Sequence, residues 1–280
     1  MNGEWPSDST SPSGEWIARY LRLLGVEREA PSLAALRRLT RAHVLAVPFE
    51  NITALRRRRG NLGRPVPPPD PEALLTSWGQ EQLGGVCFDI TLMAGRLLAG
   101  LGYRARPVMG TISFAGSHQC VQVELDGERF LVDVGNGAPF FAPIPVQGEP
   151  VVRAGGLAYR FRPGEEPETC WQDRGIGGVW TPFCCYDLGP PDLAIRESAY
   201  QRHHTPGQSW VVDSLTLIRC EPEQVLSLRD DELTRFTPDG KQRVPMADYG
   251  RLLREEFGLP NFPIDEGLQA WQELRRARGG

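Results

Sequence analysis

Apolar residues recur at helical spacing near the start of the chain. Trp16, Ile17, Tyr20, Leu21, Leu23 and Leu24 form one run that stops at Gly25, which predicts a helix and its end. Ser32 is placed as the N-cap of a second helix, with Leu33, Leu36 and Leu39 on one face. That helix runs through His43, Leu45 and Val47 or breaks there, and Pro48 punctuates it. Residues 56–71 differ in kind: Arg56 to Arg59, then Gly60, Gly63 and prolines 65, 67, 68, 69 and 71. Of phosphate binding and a solvated loop, the loop is the reading adopted. Pro71 suits the start of another helix, through Leu74, Leu75 and Trp78. Gly84-Gly85 opens a helix containing Cys87, Ile90, Met93, Leu97 and Leu98, closed near Gly100 and Gly102.

Beyond Gly102 the period changes from helical to alternating. Tyr103–Val108, Gln119–Leu125 and Arg129–Val134 read as strands, the last two joined by the hairpin signal Asp126-Gly127. Shorter strands are predicted at Val151–Arg153, Leu157–Phe161 and Trp180–Tyr186. Gly189-Pro190-Pro191 marks a second boundary, followed by a strand-like segment from Trp210 to Arg219 and strands around Leu233–Phe236. Helices at Tyr249–Phe257 and Glu266–Arg276 complete the chain. The pattern predicts an α+β protein of three lobes: helical over residues 14–103, β over 104–192, and α/β over 193–280. No internal repeat is visible. Residues 1–13, polar with Pro6, Pro12 and several serines, read as a disordered extension without the basic start and apolar run of a secretory signal.

Composition narrows this picture. A chain of 280 residues can bury a sizeable core, and its formal net charge of −4 gives no global field favouring nucleic acid or an anionic membrane. No stretch approaches the roughly 18 consecutive apolar residues of a membrane span. The six cysteines are irregularly spaced, two of them adjacent, which fits a cytoplasmic protein with mostly buried free thiols. With no Cys-x-x-Cys and no His-rich tract, no structural metal is expected.

Cys87 stands apart from the other thiols by its address, after two glycines and before an apolar helix. Unpaired N–H groups and the helix dipole favour a thiolate there, although a cysteine at a helix start is more often an inert buried thiol. His118 opens a strand, and Asp133 lies in an otherwise apolar run where an unpaired carboxylate would cost several kcal/mol. The two flank the Asp126-Gly127 turn, so the hairpin brings them to the same end of a sheet. An imidazole held by a buried carboxylate and facing a thiolate is the general form of an activated nucleophile.

Three segments then resemble the arylamine N-acetyltransferase family: Val47-Pro48-Phe49-Glu50-Asn51; Gly84-Gly85-Val86-Cys87-Phe88; and His118 through the hairpin to Val132-Asp133-Val134-Gly135-Asn136-Gly137. The C-terminal lobe matches more loosely, around Thr237-Pro238-Asp239-Gly240 and Glu256-Phe257-Gly258. The resemblance implies a helical bundle carrying Cys87, a central antiparallel β-barrel carrying His118 and Asp133, and an α/β lid, a cysteine-protease-like core. It implies ping-pong transfer from acetyl-CoA or another acyl-CoA to a small-molecule amine, with no permanently bound cofactor. It places Ser117, Gly135, Asn136 and Gly137 near coenzyme A, and Phe49 and Phe114 as pocket walls. His203 and His204, in a predicted loop of the lid, are further candidates to line the cleft. Two departures stand out. Leu83 occupies the position where the family usually has arginine, and Asn136 occupies the position of an aromatic residue. Both keep a second version in view, a natural-product amide synthase that closes macrolactams or acylates amines, sometimes from an acyl carrier protein. Rival classes are a thiol hydrolase or transglutaminase-like enzyme, and a scaffold without turnover.

Overall fold

The structure, a computed structural model, describes residues 12–176, 178–244 and 248–279; the expected N-terminal extension lies, up to residue 11, outside the described residues. Helix α1 (Gly14–Leu24) starts where the Ser13 hydroxyl accepts the Trp16 N–H, and ends at Gly25 in the left-handed region. Helix α2 (Leu33–Ala46) is capped by Ser32 in the same way. A two-residue strand β1 (Phe49–Glu50) leads into α3 (Ile52–Arg59), then α4 (Pro71–Glu81) capped by Asp70, and α5 (Cys87–Gly100).

The arginine run corrects the loop expected at 56–59. It is the last turn of α3, and its side chains are internal ties rather than a solvated face. Arg56 pairs with Glu81 and Glu266, Arg57 with Asp89, and Arg59 with Glu273, while Arg58 donates to the carbonyls of Asn61 and Arg64. Three of the guanidinium groups therefore hold α3 against α4, α5 and the C-terminal helix, and the fourth, on Arg58, ties down the loop that follows α3.

The middle of the chain supplies β2 (Arg104–Thr111), β3 (His118–Leu125), β4 (Glu128–Val132), β5 (Ile144–Pro145), β6 (Val151–Ala154), β7 (Leu157–Pro163), β8 (Thr169–Ile176) and β9 (Val179–Asp187). They form one antiparallel sheet in the order β5-β4-β3-β2-β9-β8-β7-β6. Inward residues of seven strands, among them Val108, Cys120, Leu131, Ile144, Tyr159, Phe161, Cys170 and Tyr186, meet in a single core, so the sheet curls around itself as a half-barrel. The Asp126-Gly127 hairpin has both residues at positive φ (53° and 80°), the two-residue turn whose twist suits an antiparallel pair.

The remaining elements are α6 (Leu193–His203), α7 (Trp210–Asp213), β10 (Thr216–Cys220), β11 (Val225–Arg229), β12 (Glu232–Thr237), β13 (Gly240–Val244), α8 (Tyr249–Glu255) and α9 (Ile264–Gly279). Two expectations change here. The segment from Trp210 to Arg219 is a short helix and then a strand, and the loop expected around His203 is the end of α6. The second sheet runs β1-β10-β11-β12-β13, so its edge strand comes from the N-terminal lobe. Among the described residues no helix is long and apolar enough to cross a membrane.

Candidate active site

The nucleophile candidate sits on the first residue of α5. Val86, the N-cap, has no side-chain acceptor, so the first-turn N–H groups stay unfilled beside the Cys87 sulfur. The approach to this turn is tight. A Cβ on Gly84 would lie 1.8 Å from the Pro48 carbonyl oxygen, and Glu50 N–H donates to the Gly85 carbonyl at 3.0 Å. Asp89, fully buried at the third position of α5, accepts the Val86 N–H (3.3 Å) through one oxygen and the Arg57 guanidinium (2.9 Å) through the other. Arg57 also donates to the Tyr200 hydroxyl (3.3 Å), which donates to the Pro67 carbonyl. Leu83 is buried in the core, and Glu50 is buried with its carboxylate satisfied by Thr53 and the Gly84 N–H; burial raises its pKa.

The sheet brings the other two groups to this turn. His118 and Asp133 meet with Nε2 and Oδ2 2.9 Å apart, both buried, and Cys87, whose sulfur is 4.0 Å from the carbonyl of the adjoining Ser117, acts on the same imidazole. With Nε2 taken by Asp133, Nδ1 is the nitrogen left to face the sulfur. Burial opposes charge on His118, but the charge and hydrogen bond of Asp133, and then Cys87, raise its pKa to about 10. The imidazole is thus held as a cation at neutral pH, the state that stabilises a neighbouring thiolate.

Asp133 is held in turn. Its Oδ2 accepts from Tyr186 (2.6 Å) and from the Asn136 amide (2.9 Å) as well as from His118. The Tyr186 oxygen is also 2.6 Å from Gln172 Oε1, but its single proton goes to the charged acceptor. Asn136 therefore faces the carboxylate and Gln172 (3.3 Å). Tyr186 and Gln172 had only a faint sequence signal, as polar residues at inward positions of alternating segments, and β8, which carries Gln172, is not predicted at all.

The other expected site residues fall as follows. Gly135 lies against Cys87, where a Cβ would be 3.1 Å from the cysteine Cα; Gly137, at φ +70°, abuts Phe49 and Ile218. Phe49 packs on Trp210 with ring centroids 6.0 Å apart. The Ser117 hydroxyl is turned inward and accepts the N–H groups of Ile112, Ser113 and Phe114. His203 is buried: its Nε2 donates to the Ser117 carbonyl (2.9 Å) and its Nδ1 bonds Ser209 (2.7 Å). The Phe114 ring lies tilted against His203 with centroids 5.0 Å apart, and the Arg202 guanidinium sits over the Phe114 ring. His204 is buried against Tyr200, bonded to the carbonyl of that residue. Burial lowers the pKa of both histidines to about 4, so both are neutral ties of α6. Val66, Phe88, Ala199 and Tyr200 cover Cys87, which is 6% exposed. All six cysteines are free thiols, and among the described residues no group of three or more His, Cys, Asp or Glu side chains could hold a metal.

Comparison with known proteins identifies the fold and the family. A profile of the N-acetyltransferase family matches residues 32–261. The arylamine N-acetyltransferase of Mycolicibacterium smegmatis is 28% identical over 92% of this chain and 95% of its own. Proansamycin X synthase of Amycolatopsis mediterranei is 29% identical over 62% of this chain and 68% of its own. Among solved structures, the Mycobacterium marinum arylamine N-acetyltransferase in complex with CoA superposes with a TM-score of 0.77, at 21% identity, over 92% of this chain and 99% of its own. This chain belongs to the arylamine N-acetyltransferase family.

Proposed function

We propose that the protein transfers an acyl group from a coenzyme A thioester to an amine, with Cys87 carrying the group between two half-reactions. The observation behind this reading is the His118–Asp133 pair at 2.9 Å with the Cys87 sulfur beside the same ring, at an uncapped helix start. In the first half the Cys87 thiolate attacks the thioester carbonyl, the first-turn N–H groups steady the oxyanion, and the coenzyme A thiolate departs with a proton from His118. In the second half an amine attacks the Cys87 thioester and gives its proton to His118, and the Cys87 thiolate is restored. Thioester exchange is close to isoenergetic, so thiolate attack needs no further activation of the donor in the first half.

The test is intact mass after mixing the protein with a panel of acyl-CoA thioesters, with Cys87→Ala alongside. A gain of one acyl mass, absent in the variant and discharged by an amine, is expected. No gain from a folded protein whose Cys87 still alkylates would overturn the reading. Discharge to free acid without amine would put hydrolysis in its place. A second reading, an amide synthase with a larger acyl donor, is favoured by the similarity to a relative named as a synthase and by Asn136. It expects acylation by a carrier-bound acyl thioester where simple acyl-CoA thioesters fail.

A further inference from the structure

Among the described residues, arginines on the half-barrel either have partners or, like Arg153, lie exposed to solvent, and one does neither. Arg160 and Arg162, on the outer face of β7, both pair with Asp173, and Arg129 pairs with Glu168. Arg174 differs. Its register opposite Tyr159 on β7, a residue of the barrel core, turns it inward. Among the described residues no carboxylate pairs with it, its Nε is buried without a hydrogen-bond partner, and its guanidinium lies over the Phe183 ring, 3.2 Å from the centroid. The nearby ionisable groups that act on it are Tyr159, Tyr186 and Cys184, none of them anionic at neutral pH. A partly buried cation without a counter-charge is costly to hold, and such groups mark ligand sites more often than stable cores.

Its place relates it to the triad. Gln172, the preceding inward residue of β8, touches Asn136 and Tyr186, two of the three groups that donate to Asp133. Gln172 is fully buried. Arg174 follows about 7 Å further along the strand. There the β8–β9 ribbon has passed the end of β2, which pairs with β9 only as far as Thr111, where the chain turns toward His118. Arg174 is thus the next inward group beyond the Asn136–Gly137 turn, on a ribbon that continues past the site.

We propose that Arg174 anchors an anionic oxygen group, a carboxylate or a phosphate, carried by one of the two substrates. This rests on the acyl-transfer reading above and adds a charge requirement to it. A planar fork of donors backed by an aromatic ring suits such a group, and a lysine would hold it by charge alone.

The test compares wild type, Arg174→Gln and Arg174→Lys on two matched pairs. The donors are acetyl-CoA and acetyl-N-acetylcysteamine, which lacks phosphates; the acceptors are 4-aminobenzoate and 4-aminobenzamide. Arg174→Gln is expected to lose about ten-fold or more in kcat/KM for the charged member of one pair and to stay within about two-fold for its neutral mate. Arg174→Lys is expected to retain part of the difference. Loss confined to acetyl-CoA assigns the phosphates, and loss confined to 4-aminobenzoate assigns the acceptor. Equal losses on charged and neutral members, or none, overturn the proposal. Calorimetric binding of coenzyme A and 4-aminobenzoate is read on the same proteins. Failure of wild-type acylation would then count against the transfer reading, while Arg174 is still judged by whether Arg174→Gln weakens binding of either anion.

Discussion

One carboxylate oxygen, Asp133 Oδ2, takes hydrogen bonds from an imidazole, a phenol and an amide, while Oδ1 is buried without a partner. Each donor draws charge from the oxygen that keeps His118 cationic. Tyr186→Phe should therefore have two effects. Loss of a buried bond to a charged group should cost about 1–3 kcal/mol, read by urea denaturation. The carboxylate, with one donor fewer, should hold the His118 proton more firmly and move the alkaline loss of Cys87 acylation by an acyl-CoA thioester, which needs that proton for thiolate departure, to higher pH. An unchanged acylation profile would detach Tyr186 from the site. The three central residues were legible in the sequence because each broke its local pattern: a thiol after two glycines, a histidine at a strand start, an acid in an apolar run. Tyr186 and Gln172 broke nothing, since a polar atom that finds its partner across a sheet leaves no local mark.

At the scale of elements, the start of α5 depends on groups distant in sequence. Arg57→Gln should leave the Asp89 carboxylate buried without its cation, at a cost of about 3–5 kcal/mol. Combining it with Asp89→Asn should recover most of that loss in thermal melts, because asparagine still accepts the Val86 N–H without carrying charge. Gly84→Ala has no such remedy. Its Cβ would strike the Pro48 carbonyl, and a fall of about 4 kcal/mol or more, or failure to fold, is expected on expression and melting. Arg57 was misread because a run of like charges is ordinarily solvated, and only the positions of Asp89, Glu81, Glu266 and Glu273 turn it into a set of ties. Helix α6 was missed for a related reason. Only Ala199, Tyr200 and His203 of its residues are buried, too few to stamp a helical period on the sequence.

Across the whole molecule, four histidines divide into two kinds. His43, which bonds Tyr20, has its pKa lowered by burial to about 3, and His203 and His204 theirs to about 4. Below about pH 6.5 the unfolded chain takes up protons that these three refuse when folded, so stability should fall with falling pH by up to about 1.4 kcal/mol per unit for each. His118 acts in the opposite sense. With its folded pKa raised to about 10, its contribution is complete below about pH 6.5 and is lost as pH rises toward 10. Denaturation midpoints should therefore peak near pH 6.5, and Asp133→Asn should flatten the alkaline side alone. A midpoint that keeps rising to pH 9 would contradict this. The three-lobe plan was readable from the change of period near residue 103, whereas the exchange of β1 between lobes was not, because two residues carry no period.

That exchange has a consequence for how the enzyme comes into being. Phe49 and Glu50 border the nucleophile turn through Gly85, yet their sheet partners are Ile218 and Leu217. On a ribosome adding about 5–20 residues per second, the segment bearing Cys87 is complete on the order of ten seconds or more before the strand that clamps it emerges. The turn around Cys87 is thus closed only once the chain has grown past Thr216. A nascent chain stalled before that residue carries the cysteine without the sheet contact beside it.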